Sequence, residues 1–238
     1  MSNVTYKYIR QNKDVQTYIA HADAALYTIG YTEHSTAHAT KSADTAYMIL
    51  SALGFPERTC ELAQIAAYMH DIGNVVNRID HAQSGAVMAF RLLDCMGMPA
   101  EEIATITSAI GNHDERTARP VNPIAAAVIL ADKTDVRRSR VRHGEPHIAH
   151  PDTLNSNATL RIPQIQDIHD RVNYACVKSD VSISEDKSAV VLNLVIDEEI
   201  SSIMEYFEIF LDRMVLCRKA AEALKIKFEM IMNNSRVL

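Results

Sequence analysis

Apolar residues recur every three to four positions over most of residues 1–142, which is the period of an amphipathic helix. Glycines and prolines interrupt this pattern at short intervals, and they set the predicted ends of the helices. Pro123 opens the last of about six predicted helices, and the earlier ones cover residues 14–29, 33–53, 56–73, 81–96 and 99–111. Short connections between successive helices predict an all-α domain over residues 1–142.

The pattern changes after residue 142. Residues 143–170 are rich in proline, asparagine and histidine and have no clear period, which predicts a long linker loop. In residues 171–238, two β-prone runs, 172–183 and "AVVLNLVI", flank the turn "SEDK". A long helix over 198–223 and a final strand, "KFEMIMN", follow. The predicted fold is therefore mainly α, a helical bundle with a small C-terminal α+β module.

Composition excludes several classes of protein. A net charge of −6 argues against a protein that binds long nucleic acids. The longest apolar run, "PIAAAVILA", is too short to span a bilayer, so we expect no membrane partner. The first residues lack the apolar segment of a secretion signal, and the four cysteines are widely spaced without a CxxC motif. We therefore expect reduced thiols in a cytoplasmic protein.

An imidazole and a carboxylate, His70 and Asp71, stand side by side in "LAQIAAYMHDIGN", where an apolar helix ends. A histidine in this position often only interacts with the helix dipole. However, further histidines and a carboxylate occur on a face or near an end of other predicted helices: His38, His81, His113 and Asp132. Asp132 follows the apolar run "IAAAVILA", where a charge without a partner would be costly. Neutral imidazoles and carboxylates are ligands of divalent metals, so a metal site is predicted.

Five motifs occur in a fixed order over residues 30–142: "HATKSA", "MHDIGN", "HAQSGA", "AIGNHDE" and "ILADKTD". Together they resemble the HD superfamily of metal-dependent phosphohydrolases, in particular its binuclear branch, which has two extra histidines. The resemblance implies a helical domain with two divalent metal ions, iron or manganese first, with zinc, nickel, cobalt or magnesium as further possibilities. The implied ligands are His38, His70, Asp71, His81, His113 and Asp132, and Asp71 is the implied catalytic residue that bridges the metals.

The resemblance implies hydrolysis of a small nucleotide or other phosphate ester by a metal-activated water. Two alternatives stay open. Some HD proteins with the same six ligands hold a mixed-valence di-iron centre and oxidise a C–H bond. The other alternative is a regulatory module, in which the helical domain senses a ligand and the C-terminal unit binds partners. Asn74 stands where many family hydrolases have lysine, which favours the oxygenase slightly, although Arg78 could supply the missing cation. No GYP motif follows His113, so a cyclic dinucleotide substrate is not favoured.

His34 is a further candidate ligand, because it lies four residues before His38 on the same predicted helix face. The local string "EHS" resembles the family around His34, whereas the spacing to "LG" favours His38. We therefore predict His38 as the ligand and His34 as an extra ligand or a neighbour of one.

Basic residues follow Asp132 at helical spacing: Lys133, Arg137 and Arg140. Two interpretations are open for this basic stripe. It is either a clamp for a substrate phosphate or a solvated helix face.

The remaining histidines have weaker contexts. We expect exposed positions in the linker for three of them: His143, His147 and His150. His169 and Asp170 begin the predicted strand region, and we expect a structural role for this pair. The helix over 198–223 carries a broad apolar stripe, and one helix can cover only one face of the predicted small sheet. The remaining apolar surface must meet either the helical domain or a second subunit. We therefore assign the C-terminal module to assembly or regulation, and predict a homodimer.

Overall fold

The computed structural model describes residues 4–142 and 167–238. Within these residues the first seven helices are α1 (Tyr6–Gln11), α2 (Lys13–Thr28), α3 (Thr36–Ala52), α4 (Glu57–Met69), α5 (His81–Cys95), α6 (Ala100–Gly111) and α7 (Pro123–Lys133). Short 3₁₀ turns cover Ile72–Val75 and Arg138–Arg140. The C-terminal part contains α8 (Ile168–Ala175), β1 (Cys176–Ile183), β2 (Ala189–Ile196), α9 (Ile203–Ala223), β3 (Lys227–Met232) and β4 (Ser235–Arg236). The mainly helical fold class is confirmed.

Side-chain caps set the beginnings of several helices. Asn122 accepts a hydrogen bond from the backbone of Ala125 ahead of α7. At α9, Ser202 and Glu205 form a capping box, so the helix starts five residues later than the predicted residue 198. Ser35 caps α3, so His34 lies before this helix. The prediction that His34 shares a helix face with His38 is therefore wrong.

Helix α7 lies at the centre of the helical domain. Its residues from Ile124 to Ala131 are all buried, and it packs against α3, α4 and α6. Such an all-apolar segment has no face suited to water, so it is stable only when other helices surround it. The interior position of α7 carries Asp132, near its C-terminal end, to the middle of the bundle. Sequence periodicity alone could not have given this placement.

The C-terminal module contains a four-stranded sheet in the order β1-β2-β3-β4. The predicted hairpin pairs β1 with β2 in antiparallel fashion, with Ile183 opposite Val190. β2 and β3 are parallel, with Ala189 opposite Lys227, because α9 forms the crossover between them. β3 and β4 are antiparallel. The predicted α+β character of this module is thus present in the structure.

Two details of this module differ from the sequence prediction. Residues 168–175 form α8, so the strand region begins at Cys176 rather than at 172. Asp167 starts this helix by accepting from the backbone of His169 and Asp170. The prediction that His169 and Asp170 begin a strand region is therefore wrong. Local capping outweighs the β propensity of the following residues.

Helix α9 packs against α7, so the two predicted domains share one continuous core that includes Tyr206, Phe210 and Cys217. The proposed division at 142 and 171 stays a prediction. Most of the proposed linker, together with His143, His147 and His150, lies outside the described residues. Every helix in residues 4–142 and 167–238 is too short or too polar to span a membrane.

Candidate metal centre

Four histidines from different helices meet in the interior of the helical domain. His38 lies in α3, His70 directly follows α4, His81 is the first residue of α5, and His113 lies two residues after the end of α6. Each is at most 1% exposed. Buried imidazoles require partners for their nitrogens, so the contacts of each ring indicate what the group can bind.

The Nδ1 atom of each ring is held by a protein oxygen. In His38, Nδ1 lies 2.8 Å from Oδ2 of Asp135. In His70, it lies 2.6 Å from the carbonyl oxygen of Ala67. In His81, Nδ1 lies 3.0 Å from the carbonyl oxygen of Arg78, and in His113 it lies 2.6 Å from the carbonyl oxygen of Ile110. Since carbonyl and carboxylate oxygens only accept, Nδ1 carries the proton in all four rings. Each Nε2 therefore points into the centre, as in histidines that bind metals.

The Nε2 atoms form two close pairs. They lie 3.4 Å apart in the pair His38–His70 and 3.1 Å apart in the pair His81–His113. Two lone pairs at these distances repel each other unless a cation or a proton lies between or beside them. The donor set therefore fits a positive ion, and nitrogen and oxygen donors are those of borderline divalent metals.

Asp71 lies between the two histidine pairs. Its Oδ2 is 3.1 Å from Nε2 of His70 and 3.7 Å from Nε2 of His38. Its Oδ1 is 3.5 Å from Nε2 of His81 and 3.8 Å from Nε2 of His113. The two oxygens of one carboxylate thus face different pairs. This is the arrangement required of a residue that contacts two metals.

Asp132 completes the group on the side of His38 and His70. Its Oδ1 lies 3.5 Å from Nε2 of His38 and 3.6 Å from Nε2 of His70. Its other oxygen is 2.7 Å from the ammonium of the buried Lys133. Within the described residues, donor atoms from three overlapping sets lie within 4.8 Å of one another: His38–His70–Asp71, His70–His113–Asp132 and Asp71–His81–His113. The structure therefore brings all six predicted ligands together.

Burial and charge affect the protonation of the centre. Although burial favours the neutral ring, the carboxylates of Asp71 and Asp132 raise the pKa of His70 to about 10. Burial also favours neutral carboxyl groups, yet neighbouring cations hold the pKa values of both aspartates well below their usual range. Burial lowers the pKa of His81 to about 4. Without a metal, the positive charge of protonated His70 balances part of the negative charge of Asp71 and Asp132.

His34 lies beside the centre. Its Nδ1 donates to the carbonyl oxygen of Thr32 at 2.7 Å, and its ring centroid is 5.5 Å from that of His38. It is not a member of the donor groups that lie within 4.8 Å among the described residues. The structure thus brings His34 next to a candidate ligand, and its role as an extra ligand stays a prediction.

The basic stripe does not form one helical face, because α7 ends at Lys133 and Arg137 has an extended backbone. Lys133 is buried and contacts Asp132 and Glu115. Arg137 donates to Asp135 at 2.9 Å. Arg140 is buried and donates to the carbonyl oxygens of Glu33 and Asp135 at 2.9 and 2.8 Å. The expectation of a continuous helical stripe, solvated or not, is therefore wrong. Phosphate binding by these residues stays a prediction.

Two residues near the ligands, Asp135 and Glu115, were missed in the sequence, and the contact of Asn74 with Asp71 was not predicted. Asp135 accepts from His38, and the Asn74 side-chain amide donates to Oδ1 of Asp71 at 2.9 Å. Glu115 lies 3.4 Å from the ammonium of Lys133. Asp135 lies three residues after Asp132, and Glu115 lies two residues after His113. This short spacing was the sequence feature that could have indicated both residues. Short spacing, however, does not show which way a loop side chain points.

A family model described as the HD domain matches residues 36–137, a range that includes all six candidate ligands. Among solved structures, the chain is similar to a crystal structure of a predicted HD superfamily hydrolase from an uncultured Thermotogales bacterium. The two are 25% identical with a TM-score of 0.42, and the match covers 52% of this chain and 68% of that chain. No curated protein matches the sequence.

Proposed function

The chain belongs to the HD superfamily, and from this premise we propose that it is a metal-dependent hydrolase of a small phosphate ester. The observation that carries the proposal is the position of Asp71, whose two carboxylate oxygens face separate pairs of histidine nitrogens. One carboxylate shared in this way supports a centre for two divalent ions, with iron or manganese as the first candidates.

The side chains that would hold the metals are His38, His70, Asp71, His81, His113 and Asp132. The metals would supply an acidified water and polarise a phosphoryl oxygen. The protein keeps the donor atoms oriented, since the hydrogen bonds at Nδ1 fix all four imidazoles before any ligand binds. This preorganisation reduces the cost of arranging the centre during the reaction.

Two cations beside the centre support an anionic substrate. The Lys133 ammonium contacts Asp132 at 2.7 Å, and the Arg78 guanidinium lies 3.3 Å from Nε2 of His81. Arg78 is half-buried and also lies over the ring of Tyr31, 5.3 Å from its centroid. We propose these two residues as the phosphate-binding cations. Arg137 and Arg140 are weaker candidates, because their hydrogen bonds to Glu33 and Asp135 do not reach a candidate metal ligand, whereas Lys133 and Arg78 each contact one.

Metal analysis of anaerobically purified protein, with a panel of phosphate esters assayed on the same preparation, tests the proposal. We expect about two metals per chain and release of inorganic phosphate. Asp71→Ala should lose metal and activity together, whereas Asp94→Ala, an exposed carboxylate on α5, should retain both. Full metal content in the Asp71 variant would refute the bridging role, and a wild-type protein without bound metal would refute the function.

A kinetic comparison tests the two cations. Both Arg78→Ala and Lys133→Ala should raise KM for a phosphate ester. In addition, Arg78→Ala should leave the metal content unchanged. Each lost charge-assisted contact to phosphate is expected to raise KM by about tenfold or more. An unchanged KM in the Arg78 variant would exclude this residue from substrate binding.

A second candidate function, oxidation of a C–H bond at a di-iron centre, is favoured by the contacts of Asn74. Its side-chain amide donates to Asp71, at a position where many hydrolases of the family have lysine. Oxygen consumption measured beside phosphate release separates the two reactions. Iron with oxygen uptake and no phosphate release would support the oxygenase. Metal binding without turnover of any substrate would favour a ligand-sensing role.

A further inference from the structure

Arg213, on the C-terminal helix α9, connects the C-terminal module to the candidate metal centre. Its Nε lies 2.6 Å from Oε1 of Glu115, and the same oxygen is 3.4 Å from the ammonium of Lys133. Lys133 in turn contacts Oδ2 of Asp132 at 2.7 Å. Charges of alternating sign therefore run from the C-terminal helix to a candidate metal ligand.

The residues in this chain of contacts have restricted positions. The Arg213 guanidinium carbon lies 4.5 Å from the ring centroid of Phe210, which is fully packed in the shared core. Glu115 follows His113 by two residues, in the segment that joins α6 to α7. The ion pair with Arg213 thus attaches this segment to α9. Glu115 lies nearer to Arg213 than to Lys133, so most of its charge is balanced by the guanidinium. The Lys133 ammonium is therefore not drawn away from Asp132.

A second set of contacts reaches the centre from strand β1. The carbonyl oxygen of Ser179 accepts from Lys41 at 3.2 Å, and the Lys41 ammonium is 3.1 Å from Oδ1 of Asp135. Asp135 is the acceptor for Nδ1 of His38. The Ser179 hydroxyl also donates to the carbonyl oxygen of Thr134 at 2.9 Å. Arg213 on α9 and Ser179 on β1 are thus each connected, through one intervening residue, to a partner of a candidate ligand.

We infer that the C-terminal module is a positioning part of the metal centre, and that Arg213 orients Asp132 through Glu115 and Lys133. This inference rests on the proposed metal-binding function. In the absence of Arg213, Glu115 would keep Lys133 as its nearest cation, and the ammonium would move from Asp132 toward Glu115. Asp132 would then lose the contact that directs its other oxygen toward His38 and His70.

The direct test is the affinity for Mn²⁺ alone, measured calorimetrically in the full chain. Arg213→Met should weaken Mn²⁺ binding by about tenfold, the lower end of effects from residues behind metal ligands. Arg213→Lys should largely retain the affinity, because an ammonium at this position can still pair with Glu115. Arg218→Met is the matched control, because Arg218 is exposed on the same helix and pairs only loosely, at 3.8 Å, with Glu222. We expect no change in this control.

A double-mutant cycle distinguishes positioning from a general loss of stability. If Arg213 acts through Glu115, Arg213→Met should have little further effect on Mn²⁺ affinity in a Glu115→Gln background. The visible spectrum of the Co²⁺-substituted protein should change in Arg213→Met and be restored in Arg213→Lys. Should Arg213→Met fail to fold, Arg213→Gln, which removes the charge but keeps a polar side chain of similar length, provides the comparison with Arg213→Lys.

The outcomes separate this inference from the proposed function. A wild-type protein that binds no metal refutes the proposed function. A wild-type protein that binds Mn²⁺ normally, with unchanged affinity and Co²⁺ spectrum in Arg213→Met, refutes the positioning role alone. Additive effects of the two substitutions would likewise show that Arg213 does not act through Glu115.

Discussion

Asp135 accepts a hydrogen bond from Nδ1 of His38 at 2.8 Å, and no atom of its side chain is exposed to solvent. The carboxylate also contacts Lys41 at 3.1 Å and Arg137 at 2.9 Å. Burial favours the neutral carboxyl group, yet the hydrogen bond from His38 and the charges of Arg140 and Lys41 hold the pKa of Asp135 far below its usual range. Asp135 is therefore a buried anion that fixes both the tautomer and the orientation of a candidate metal ligand.

We predict that Asp135→Asn lowers metal affinity by about 10- to 100-fold, because the amide can still accept from His38 but carries no charge. Isothermal titration with Mn²⁺ checks this. Asp114→Asn is the comparison, since Asp114 lies 3.5 Å from Nδ1 of His81, a nitrogen that Arg78 already satisfies through its carbonyl oxygen. A smaller loss is expected there. Equal losses in the two variants would contradict a special role of Asp135.

Metal binding should release one proton near neutral pH. In the metal-free protein the pKa of His70 is about 10, so this ring is charged and its proton must leave before Nε2 binds a metal. The pKa of His81 is about 4, so that ring is already neutral. Because the proton is bound only in the metal-free state, lowering the pH opposes metal binding. Affinity should therefore rise by about tenfold per pH unit between about pH 6 and 8.

Calorimetric titrations with Mn²⁺ in two buffers of different ionisation enthalpy measure this proton directly. We expect one proton per chain from His70. An affinity that does not depend on pH, with equal heats in both buffers, would contradict the protonated state of the metal-free centre.

Gly73 supports the centre through close backbone packing. A Cβ atom at this position would overlap the carbonyl oxygen of His81 and the backbone nitrogen of Gly85. Gly73→Ala should therefore push α5 away, lower the free energy of unfolding by about 1–3 kcal/mol or more, and reduce metal content through the displacement of His81. Thermal unfolding and metal analysis check both effects.

Gly111→Ala provides the control for Gly73, because its Cβ would meet only the side chain of Ala86 at an ordinary 3.6 Å. This variant should be neutral or more stable by up to about 1 kcal/mol, since alanine favours the helix. If both glycine variants behaved alike, close packing at Gly73 would not be the cause of its effect.

Apolar residues left exposed on the C-terminal module lead us to predict a homodimer. Met204 and Leu211 on α9 are 67% and 55% exposed, and Val177 on β1 is 55% exposed. Packing of α9 against α7, α8, β2 and β3 buries other residues of the helix, including Phe210 and Met214, but leaves Met204 and Leu211 at the surface. Sedimentation should detect a dimer at micromolar concentration, and Leu211→Glu should shift it toward monomer. A wild-type chain that stays monomeric at high micromolar concentration would exclude the dimer.

The sequence by itself determined most of the helices and identified the residues that meet in the centre. Helical periodicity and punctuation by glycine and proline are local properties, so the predicted ranges of α2, α5 and α6 agree closely with the structure. The ordered motifs around His38, His70-Asp71, His81, His113 and Asp132 identified the residues that converge, because their order and local sequences resemble those of the HD superfamily.

Only the tertiary structure decided how these residues meet. The division of the two Asp71 oxygens between histidine pairs depends on the packing of several helices, and no local pattern encodes that packing. The same holds for the partners of Asp135 and for the contact of Arg213 with Glu115 across the two predicted domains. Long-range contacts of this kind arise from the burial of shared apolar surface, which aligns polar side chains that lie far apart in the chain.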